Sequence, residues 1–449
     1  MGARMPWAQL VSLGFGVLAL IVSLWPRHYS GELAPEGNFK LHPWPRLLRF
    51  PLFWIGLVFL GYVLIQALNP AWERITTPQV WFIKSVDHVE WLPSSVTAPF
   101  ERMNAWRMLA VWTGVWTAAC AIWTGFTRRT AVQGVLNAVL INGSVLALIG
   151  ILQKATGTPK MLWFMDPVAH YFHATFVYKN HAGAYFNIIF ALAMGLAAWN
   201  HVRGLRRLER STPAPVYLFA AILTGVSVFM SGSRTAMLLL GGFIVVGGLV
   251  YLIWRSRSQD SGGSTATSVI VATLAVGFIA LAATYLNLQT SIEQIRNVFE
   301  RDRFASVESR IQARNATWEL FRDEPITGWG AGSFRHAFPI HQQNYPDIYR
   351  PFGTVMFWDH AHNDYMQILA EVGILGVIPL LLTLGWFFRR LLRAGALTHP
   401  GFLLITLGLG LTLAHAWVDF PLSNTAILTT FGLSWVMLVR WSELERSRG

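Results

Sequence analysis

The sequence predicts an all-α polytopic membrane protein, and three observations support this fold class. Hydrophobic residues make up 53% of the 449 residues and charged residues only 13%, whereas soluble domains carry about 25% charged residues. The apolar residues form about eleven stretches, each close to the roughly 20 residues that a spanning helix needs. Basic residues concentrate in the loops on one side of these stretches. This pattern excludes an ordinary soluble enzyme, a disordered chain and a nucleic-acid-binding module, although the net charge is +12.

Each element follows from the length of an apolar run. Eleven or twelve transmembrane helices are expected, since one helix is easily merged with a neighbour. The first run is not expected to be a cleaved signal peptide, because its positively charged start is weak and it shows no small-residue cleavage site. The single cysteine, Cys120, excludes a disulfide within the chain. The eleven spans are predicted at 8–25, 51–68, 106–126, 131–152, 182–199, 215–231, 235–254, 267–286, 366–388, 400–418 and 424–441.

The Lys and Arg counts of alternate loops predict the orientation of the chain. Loops rich in arginine belong in the cytoplasm, and eleven spans then place the N-terminus outside and the C-terminus inside. The chain divides into transmembrane helices at 1–286, a large outer loop at 287–365 and C-terminal transmembrane helices at 366–449. The loops predicted to face outward are 69–105, 153–181, 231–234, 287–365 and 419–423.

The outer loop 287–365 is predicted to fold into a helical cap. Structureless loops longer than about 12–15 residues are uncommon, and this one is too rich in aromatic residues to be disordered. The pattern of residues 307–322 predicts a helix with an apolar stripe along one face. Arg310 and Arg314 lie one turn apart on another face of this helix. The Pro325 and glycine cluster that follows ends this helix.

Four polar groups stand at boundaries that the charge count puts on the outer side. They are Tyr178-Lys179-Asn180-His181, Ser231-Gly232-Ser233-Arg234-Thr235, Arg310 with Arg314, and His360-Ala361-His362-Asn363-Asp364. If Lys179, Arg234 and Arg310 converge, they form a cationic site beside lipid, and His362 adds a group that titrates near pH 7. Arginine binds phosphate oxygens bidentately, and a helix N-terminus favours anions. The pattern therefore points to an anionic lipid headgroup, with pyrophosphate the strongest candidate.

Each of these residues also has a plainer interpretation. Arg234 can anchor to lipid phosphates, Arg310 and Arg314 can pair with acidic neighbours on a solvated helix face, and Lys179 alone is more often structural. His362 can cap a helix locally. A metal site at His360, His362 and Asp364 is weakly supported, because three ligands within five residues lack a distant partner. The pair Glu300 and Asp302 is an equally weak cation site.

The same residues carry a resemblance to a known family. His362-Asn363 followed after nine residues by Gly373-Ile374-Leu375-Gly376 resembles the signature of bacterial O-antigen ligases. The stretch SRIQARNATWELFRDEPITGWGAGSF at 309–334 resembles the outer-loop motif of the O-antigen ligase and O-antigen polymerase superfamily. ATFVYKNHAGAYF at 174–186 and SGSRTA at 231–236 are similar to its two other blocks. The resemblance covers roughly residues 170–385.

The resemblance implies an inverting glycosyltransferase that needs neither metal nor cofactor, with a helical fold related to the GT-C class. The donor would be a glycan on undecaprenyl pyrophosphate, and the acceptor a sugar hydroxyl of lipid A–core. The site would face the periplasm from the inner membrane of a bacterium. By motif position, Arg234 and Arg310 would hold the pyrophosphate with help from Arg314 and Lys179, and His362 would assist acceptor attack. Supporting positions would be Asn363, Asn180, His181 and Ser233.

Three other functions stay open at this stage. A polymerase of O-antigen or exopolysaccharide joins lipid-linked repeat units with the same donor chemistry. A protein O-oligosaccharyltransferase of the same superfamily uses a Ser or Thr acceptor. A transporter of an anionic solute predicts charged residues in mid-span and discontinuous helices, and only Glu371, early in the ninth span, fits that expectation.

Overall fold

The computed structural model describes residues 5–25, 27–29, 39–41, 43–166, 172–257, 302–350 and 355–446. The predicted span at 267–286 lies outside these ranges, as do Glu300 and Arg301. The other ten predicted spans each coincide with a helix. Seven helices in the described ranges are long and apolar enough to cross a membrane, and two shorter apolar helices accompany them. The predicted all-α polytopic membrane fold is confirmed.

The helices and strands are numbered here in chain order. The main helices are α1 Pro6–Leu24, α2 Trp44–Leu48, α3 Pro51–Leu68, α4 Ala105–Gly125, α5 Arg129–Ala155, α6 Lys179–Arg207, α7 Ala214–Met230, α8 Arg234–Arg257, α9 Asp302–Asp323, α10 Phe334–Ala337, α11 Pro339–Gln342, α12 Pro346–Tyr349, α13 Asp364–Arg393, α14 Pro400–Ala416 and α15 Thr425–Arg446. The strands are β1 Arg27–Tyr29, β2 Phe39–Leu41, β3 Pro70–Thr76, β4 Trp81–Ser85 and β5 Ser95–Thr97.

The chain folds into two compact units. The first unit consists mainly of Leu136–Ile311 and Gly395–Pro421, and the second of Ala3–Val135, Gln312–Ala394 and Leu422–Gly449. In the first unit α6 is the central helix, since 83% of the residues in its most apolar stretch are buried. The corresponding share for α1 in the second unit is only 11%. Helices α7, α8 and α14 pack around it.

Small residues let the helices of the first unit approach closely. A Cβ added at Gly408 would lie 2.0 Å from the Cβ of Ala191, and one at Gly195 would lie 2.7 Å from the carbonyl oxygen of Gly401. Close contact at small residues is how transmembrane helices associate in lipid, where hydrophobic burial between helices gains little. The same close packing at a glycine occurs near the N-terminal end of α6, as described below.

In the second unit α4 is the central helix, with α1, α3 and α15 packed against it and α13 packed against α3. A Cβ at Gly16 would lie 2.6 Å from the carbonyl oxygen of Gly114, so α1 and α4 touch backbone to backbone. At the arginine-rich end of this unit, Arg440 donates from Nε to the carbonyl of Phe126 at 2.9 Å. Arg390 forms an ion pair with Glu443 beside it.

The predicted helix at 307–322 lies within α9, and the cap has a wider base than the sequence indicates. The segment 69–105, which is predicted to face outward, forms a three-stranded sheet in the order β4-β3-β5, in which β3 pairs antiparallel with β4 and parallel with β5. These strands are not predicted from the sequence. Trp72 and Ile83 pack against an apolar core that joins them to the cap. That core contains Ala313, Ala316, Leu320, Phe321, Trp329, Phe334, Ala337, Phe338, Ile348, Ala361 and Ala370.

Helix α13 is broken at Gly373, whose φ of 61° and ψ of −173° lie outside helical values. The segment 325–332 inserts its backbone at the break: the N–H groups of Ile374 and Leu375 donate to the carbonyls of Pro325 and Ile326 at 3.0 and 3.2 Å. The N–H of Gly330 donates to the carbonyl of Glu371 at 2.7 Å. The backbone groups freed by the break are thus paired, as a membrane environment requires.

Side chains of α3 and α13 secure the inserted segment. Tyr62 donates to the carbonyl of Thr327 at 2.6 Å, and Gln66 donates to the same oxygen at 2.9 Å. The Glu371 carboxylate, which is 3% exposed, accepts from the N–H of Gly332 at 2.9 Å and from Gln367 at 3.1 Å. Glu371 therefore supports the fold of the cap, and its presence in the ninth span no longer favours a transporter.

Candidate functional site

A tight turn brings α7 into α8 at one end of the first unit. Gly232 has a φ of 72°, in the left-handed region where glycine carries no Cβ penalty. The hydroxyl of Ser231 accepts from the N–H of Ser233 at 3.3 Å, and the buried Ser233 hydroxyl accepts from the N–H of Ala236 at 3.4 Å. Ser233 thereby caps the first turn of α8, whose first residue is Arg234.

Close packing of α6 against this turn positions Lys179 and Arg234 at adjacent helix starts. A Cβ at Gly183 would lie 2.5 Å from the Cβ of Ala236 and 2.9 Å from that of Ser233. Asn187 also donates to the carbonyl of Ala236 at 3.0 Å. A residue larger than glycine at 183 would force the two helices apart.

Four cations gather at this end of the first unit. The ammonium group of Lys179, which is half-buried, lies within electrostatic range of Arg234, Arg310 and Lys154. Arg234, Arg310 and Lys154 have exposed side chains. The structure therefore brings together Lys179, Arg234 and Arg310, and it adds Lys154 from the end of α5. We call these four residues the cationic cluster.

A buried carboxylate lies beside the cationic cluster. Asp419, which is 1% exposed, accepts hydrogen bonds from Tyr178 at 3.2 Å, from the side chain of Asn180 and from the N–H of Phe420 at 3.0 Å. The Tyr178 ring stacks on Phe420 with centroids 5.2 Å apart, and His181 contacts the Phe420 carbonyl at 3.2 Å. Burial and the Asp419 carboxylate raise the pKa of Tyr178, so this phenol stays protonated and donates.

Asp419 and Arg310 both act on the same two side chains. Both Asp419 and Arg310 interact electrostatically with Tyr178 and with His415. His415 is 1% exposed, and in the described part of the chain neither of its ring nitrogens has a hydrogen-bond partner. Arg310 therefore acts electrostatically on His415 of α14 and on Tyr178, the residue before α6.

His362 and Asn363 belong to the second unit. Asn363 caps α13, because its side-chain oxygen accepts from the N–H of Met366 at 3.0 Å. His362 precedes it with a φ of 53°, a left-handed conformation that is uncommon for a residue other than glycine. The His362 ring meets the ring of Trp358 edge to face, with centroids 5.3 Å apart. The conformation and the aromatic contact fix the direction of a half-buried imidazole.

The neighbours of His362 have structural roles. Asp364 accepts from the N–H of Leu422 at 2.8 Å and from the hydroxyl of Ser423 at 2.9 Å. His360 contacts the side chain of Gln367 at 3.3 Å. Among the described residues no group of three His, Cys, Asp or Glu side chains is arranged to hold a metal ion. Arg314 is exposed on α9 within the second unit.

Sequence reasoning missed Asp419 and Lys154. A signal for Asp419 was present, since it is the only acidic residue between Glu371 and Glu443 and it lies in a loop predicted to face outward. Lys154 follows the predicted span 131–152, at the start of a loop that is also predicted to face outward. Neither residue belongs to a recognisable motif, so their relation to Lys179 emerges only from the fold.

Comparison with known proteins agrees with the motif blocks. Residues 219–381 match the family model described as O-antigen ligase, a range that includes Arg234, Arg310, Arg314 and His362. No curated protein matches the chain. Through these residues the chain is similar to the O-antigen ligase family.

Proposed function

We propose that the protein is an O-antigen ligase: an inverting glycosyltransferase, with no metal or cofactor, that moves a glycan from undecaprenyl pyrophosphate to a sugar hydroxyl of lipid A–core. The match of residues 219–381 to the O-antigen ligase family model supports an enzyme acting on lipid-linked glycans. The single observation that carries the proposal is the cationic cluster at the start of α6 and α8. In this proposal the site faces the periplasm, in the inner membrane of a bacterium, and the fold is of the GT-C type.

The cationic cluster suits the leaving group of such a transfer. A glycosyl pyrophosphate is already activated, so no nucleotide is required, and negative charge grows on the pyrophosphate as its bond to the sugar breaks. Arg234, Arg310 and Lys179 supply preorganised positive charge, and stabilisation of this kind is usually the largest single contribution to catalysis. The N-terminus of α8 adds its dipole at Arg234. Arg314 is proposed as a further, peripheral phosphate contact.

His362 is proposed as the general base for the acceptor hydroxyl. Removing that proton as the hydroxyl attacks the anomeric carbon from the face opposite the pyrophosphate inverts the anomeric configuration. A positioned general base typically contributes about 10²–10⁴-fold to the rate. The contact with Trp358 and the cap at Asn363 orient the imidazole. Asn180, His181 and Ser233 are proposed to hold the backbone around the cationic cluster.

A polymerase that joins lipid-linked repeat units is the second candidate, since it uses the same donor and the same leaving group. A protein O-oligosaccharyltransferase ranks below it. A transporter of an anionic solute ranks last, because the buried charge that favoured it, Glu371, is bonded to the cap segment.

A reconstituted transfer reaction tests the proposal. The purified protein is incubated with a glycan on undecaprenyl pyrophosphate and with lipid A–core, without metal or nucleotide, and the products are read by gel and mass spectrometry. The proposal predicts glycan on lipid A–core, at a rate about 10²–10⁴-fold lower in His362→Ala with donor affinity little changed. His341→Ala is a matched control on the cap.

Other products decide between the candidates. Longer lipid-linked chains with untouched lipid A–core would make the protein a polymerase. A fully active His362→Ala protein would contradict the role of the histidine as base. Absence of both products would contradict glycan transfer to either acceptor.

A further inference from the structure

A cavity in the second unit lies apart from every residue discussed so far as a donor or catalytic group. It has a volume of about 140 Å³. It forms where the outer segment 69–105 meets the loop between α9 and α10. Its lining residues are Ala71, Trp72, Ser85, His88, Glu90, Leu92, Ser94, Glu324, Thr327 and Trp329.

Two tryptophans provide the aromatic part of the lining. The rings of Trp72 and Trp329 lie 5.9 Å apart and are tilted by 31°. Trp329 is held by a hydrogen bond from its indole N–H to the carbonyl of Leu320 at 2.8 Å. Trp72 lies on β3 and is half-buried. Rigid aromatic surface of this kind offers a large contact area at little cost in conformational entropy.

The polar part of the lining is acidic, in contrast to the whole chain with its net charge of +12. Among the described lining residues are two carboxylates, Glu90 and Glu324, and no lysine or arginine. Burial and the neighbouring Asp323 raise the pKa of Glu324, while His88 opposes this shift. Such a lining repels phosphate and uronate groups, and it offers strong acceptors to hydroxyl groups.

The size of the cavity limits its ligand. A volume of about 140 Å³ exceeds several times the roughly 30 Å³ of one water molecule. It falls below the range of about 300–1,000 Å³ that is typical of sites for drug-sized ligands. One small ring with several hydroxyl groups fits these bounds, whereas an oligosaccharide does not.

We propose that this cavity binds a single uncharged pyranose residue of a glycan substrate, with its ring against the tryptophans and its hydroxyl groups donating to Glu324 and Glu90. We call it the sugar cavity. Its ligand class rests on the proposed function, because a glycan-transferring enzyme must hold sugars away from the bond that reacts. The cavity would give the enzyme a preference among glycans through one residue of the chain.

Saturation-transfer NMR tests the inference with the full-length protein in nanodiscs and no lipid donor present. The probes are the methyl glycosides of glucose, galactose, mannose, N-acetylglucosamine and glucuronic acid. At least one uncharged glycoside is expected to receive saturation, and the glucuronide less than any binder. Since the assay involves no transfer, failure of the proposed function and failure of this inference remain distinguishable.

Paired variants place the binding at the sugar cavity. Glu324→Gln keeps the shape of an exposed side chain but removes its negative charge. It is expected to weaken glycoside binding about tenfold, because one hydrogen bond to a charged acceptor is lost. Trp72→Ala is expected to weaken it by a similar factor. Two matched controls are expected to bind like the wild type. They are Glu73→Gln, on β3, and Trp91→Ala, at a side chain that is 81% exposed. No saturation of any uncharged glycoside, a preference for the glucuronide, or an unchanged Glu324→Gln affinity would overturn the inference.

Discussion

Like charges collect at the end of the first unit where α6 and α8 begin, and their mutual repulsion has to be offset. Lys154, Lys179, Arg234 and Arg310 bring four positive charges together, and the buried carboxylate of Asp419 lies beside them. An excess of positive charge beside low-dielectric lipid attracts an anion and gains more from it than the same charges would in water. At the scale of single residues, this excess is the strongest physical argument for a phosphorylated ligand.

Asp419 is expected to organise this end of the first unit. Asp419→Asn replaces a charged acceptor with an amide whose NH₂ group faces the donors Asn180 and Tyr178. Loss of a hydrogen bond to a charged group costs about 1.5–3 kcal/mol, so the thermal midpoint should fall. Thermal unfolding of the purified protein checks this, with the exposed Asp87→Asn as control. Equal midpoints for Asp419→Asn and the wild type would contradict the role.

His336 makes the stability of the cap depend on pH. Burial and then the nearby Arg335 and Arg74 lower the pKa of His336 from 6.5 to about 4, although its contact with the Met103 carbonyl at 3.0 Å opposes this. Between these values the unfolded chain binds more protons than the folded chain. The contribution of the neutral His336 to the free energy of unfolding is therefore fully present above about pH 6.5, and it is lost as the pH falls toward about 4.

The variant His336→Gln isolates this effect, since its amide N–H can still donate to the Met103 carbonyl. Its thermal midpoint is expected to fall less than that of the wild type between pH 6.5 and 4. Some dependence should remain, because burial also lowers the pKa values of His173 and His399 to about 4. A variant with the same fall as the wild type would argue against this assignment.

At the scale of elements, the broken helix α13 explains the first glycine of the motif that resembles the O-antigen ligase signature. The sequence reveals Gly373 and Gly376 as part of a motif but not their purpose. Gly373 is required because a Cβ there would lie 2.3 Å from the carbonyl oxygen of Ile326, and because its φ is positive. The close approach depends on a segment some fifty residues earlier in the chain, so hydropathy alone could not predict it. Hydropathy alone could not predict strands β3–β5 either, because Trp72 and Ile83 of these strands pack against apolar residues of the cap.

Gly373→Ala is expected to destabilise the cap. Strained backbone costs about 1–3 kcal/mol, and the clash with Ile326 adds to it. Gly385→Ala is the matched control on the same helix, since no atom lies within 4 Å of its added Cβ and alanine favours helix. Thermal unfolding should show a lower midpoint for Gly373→Ala and an unchanged or higher one for Gly385→Ala. Equal midpoints would contradict the role of the break.

For the whole molecule, the length and spacing of the apolar runs were sufficient to predict ten of its helices, with every end within eight residues of the observed one. The largest difference is at the C-terminal end of α6, which continues past its apolar run to Arg207. The sequence also put Lys179, Arg234 and Arg310 on one predicted side of the membrane, which is the condition for a shared cationic site. It could not predict Asp419, Lys154 or the sugar cavity, because these depend on contacts between segments that share no local pattern.

The sidedness of the chain is testable with cysteine labelling, because its only native cysteine, Cys120, is 0% exposed. Trp91→Cys lies in a segment predicted to face outward, and Ser211→Cys lies in a loop predicted to be cytoplasmic. A membrane-impermeant maleimide added to intact cells with a permeabilised outer membrane should label the first and not the second. The reverse pattern would contradict the orientation and the periplasmic site.

The central claim is that the cationic cluster binds the pyrophosphate of the donor. Titration of the nanodisc-embedded protein with undecaprenyl pyrophosphate tests it most directly, comparing Arg234→Ala and Arg310→Ala with Arg322→Ala, an exposed arginine on the same helix as Arg310. Loss of one charged hydrogen bond predicts affinities at least about tenfold weaker for the first two variants and unchanged for Arg322→Ala. Wild-type affinity in both Arg234→Ala and Arg310→Ala would contradict the account.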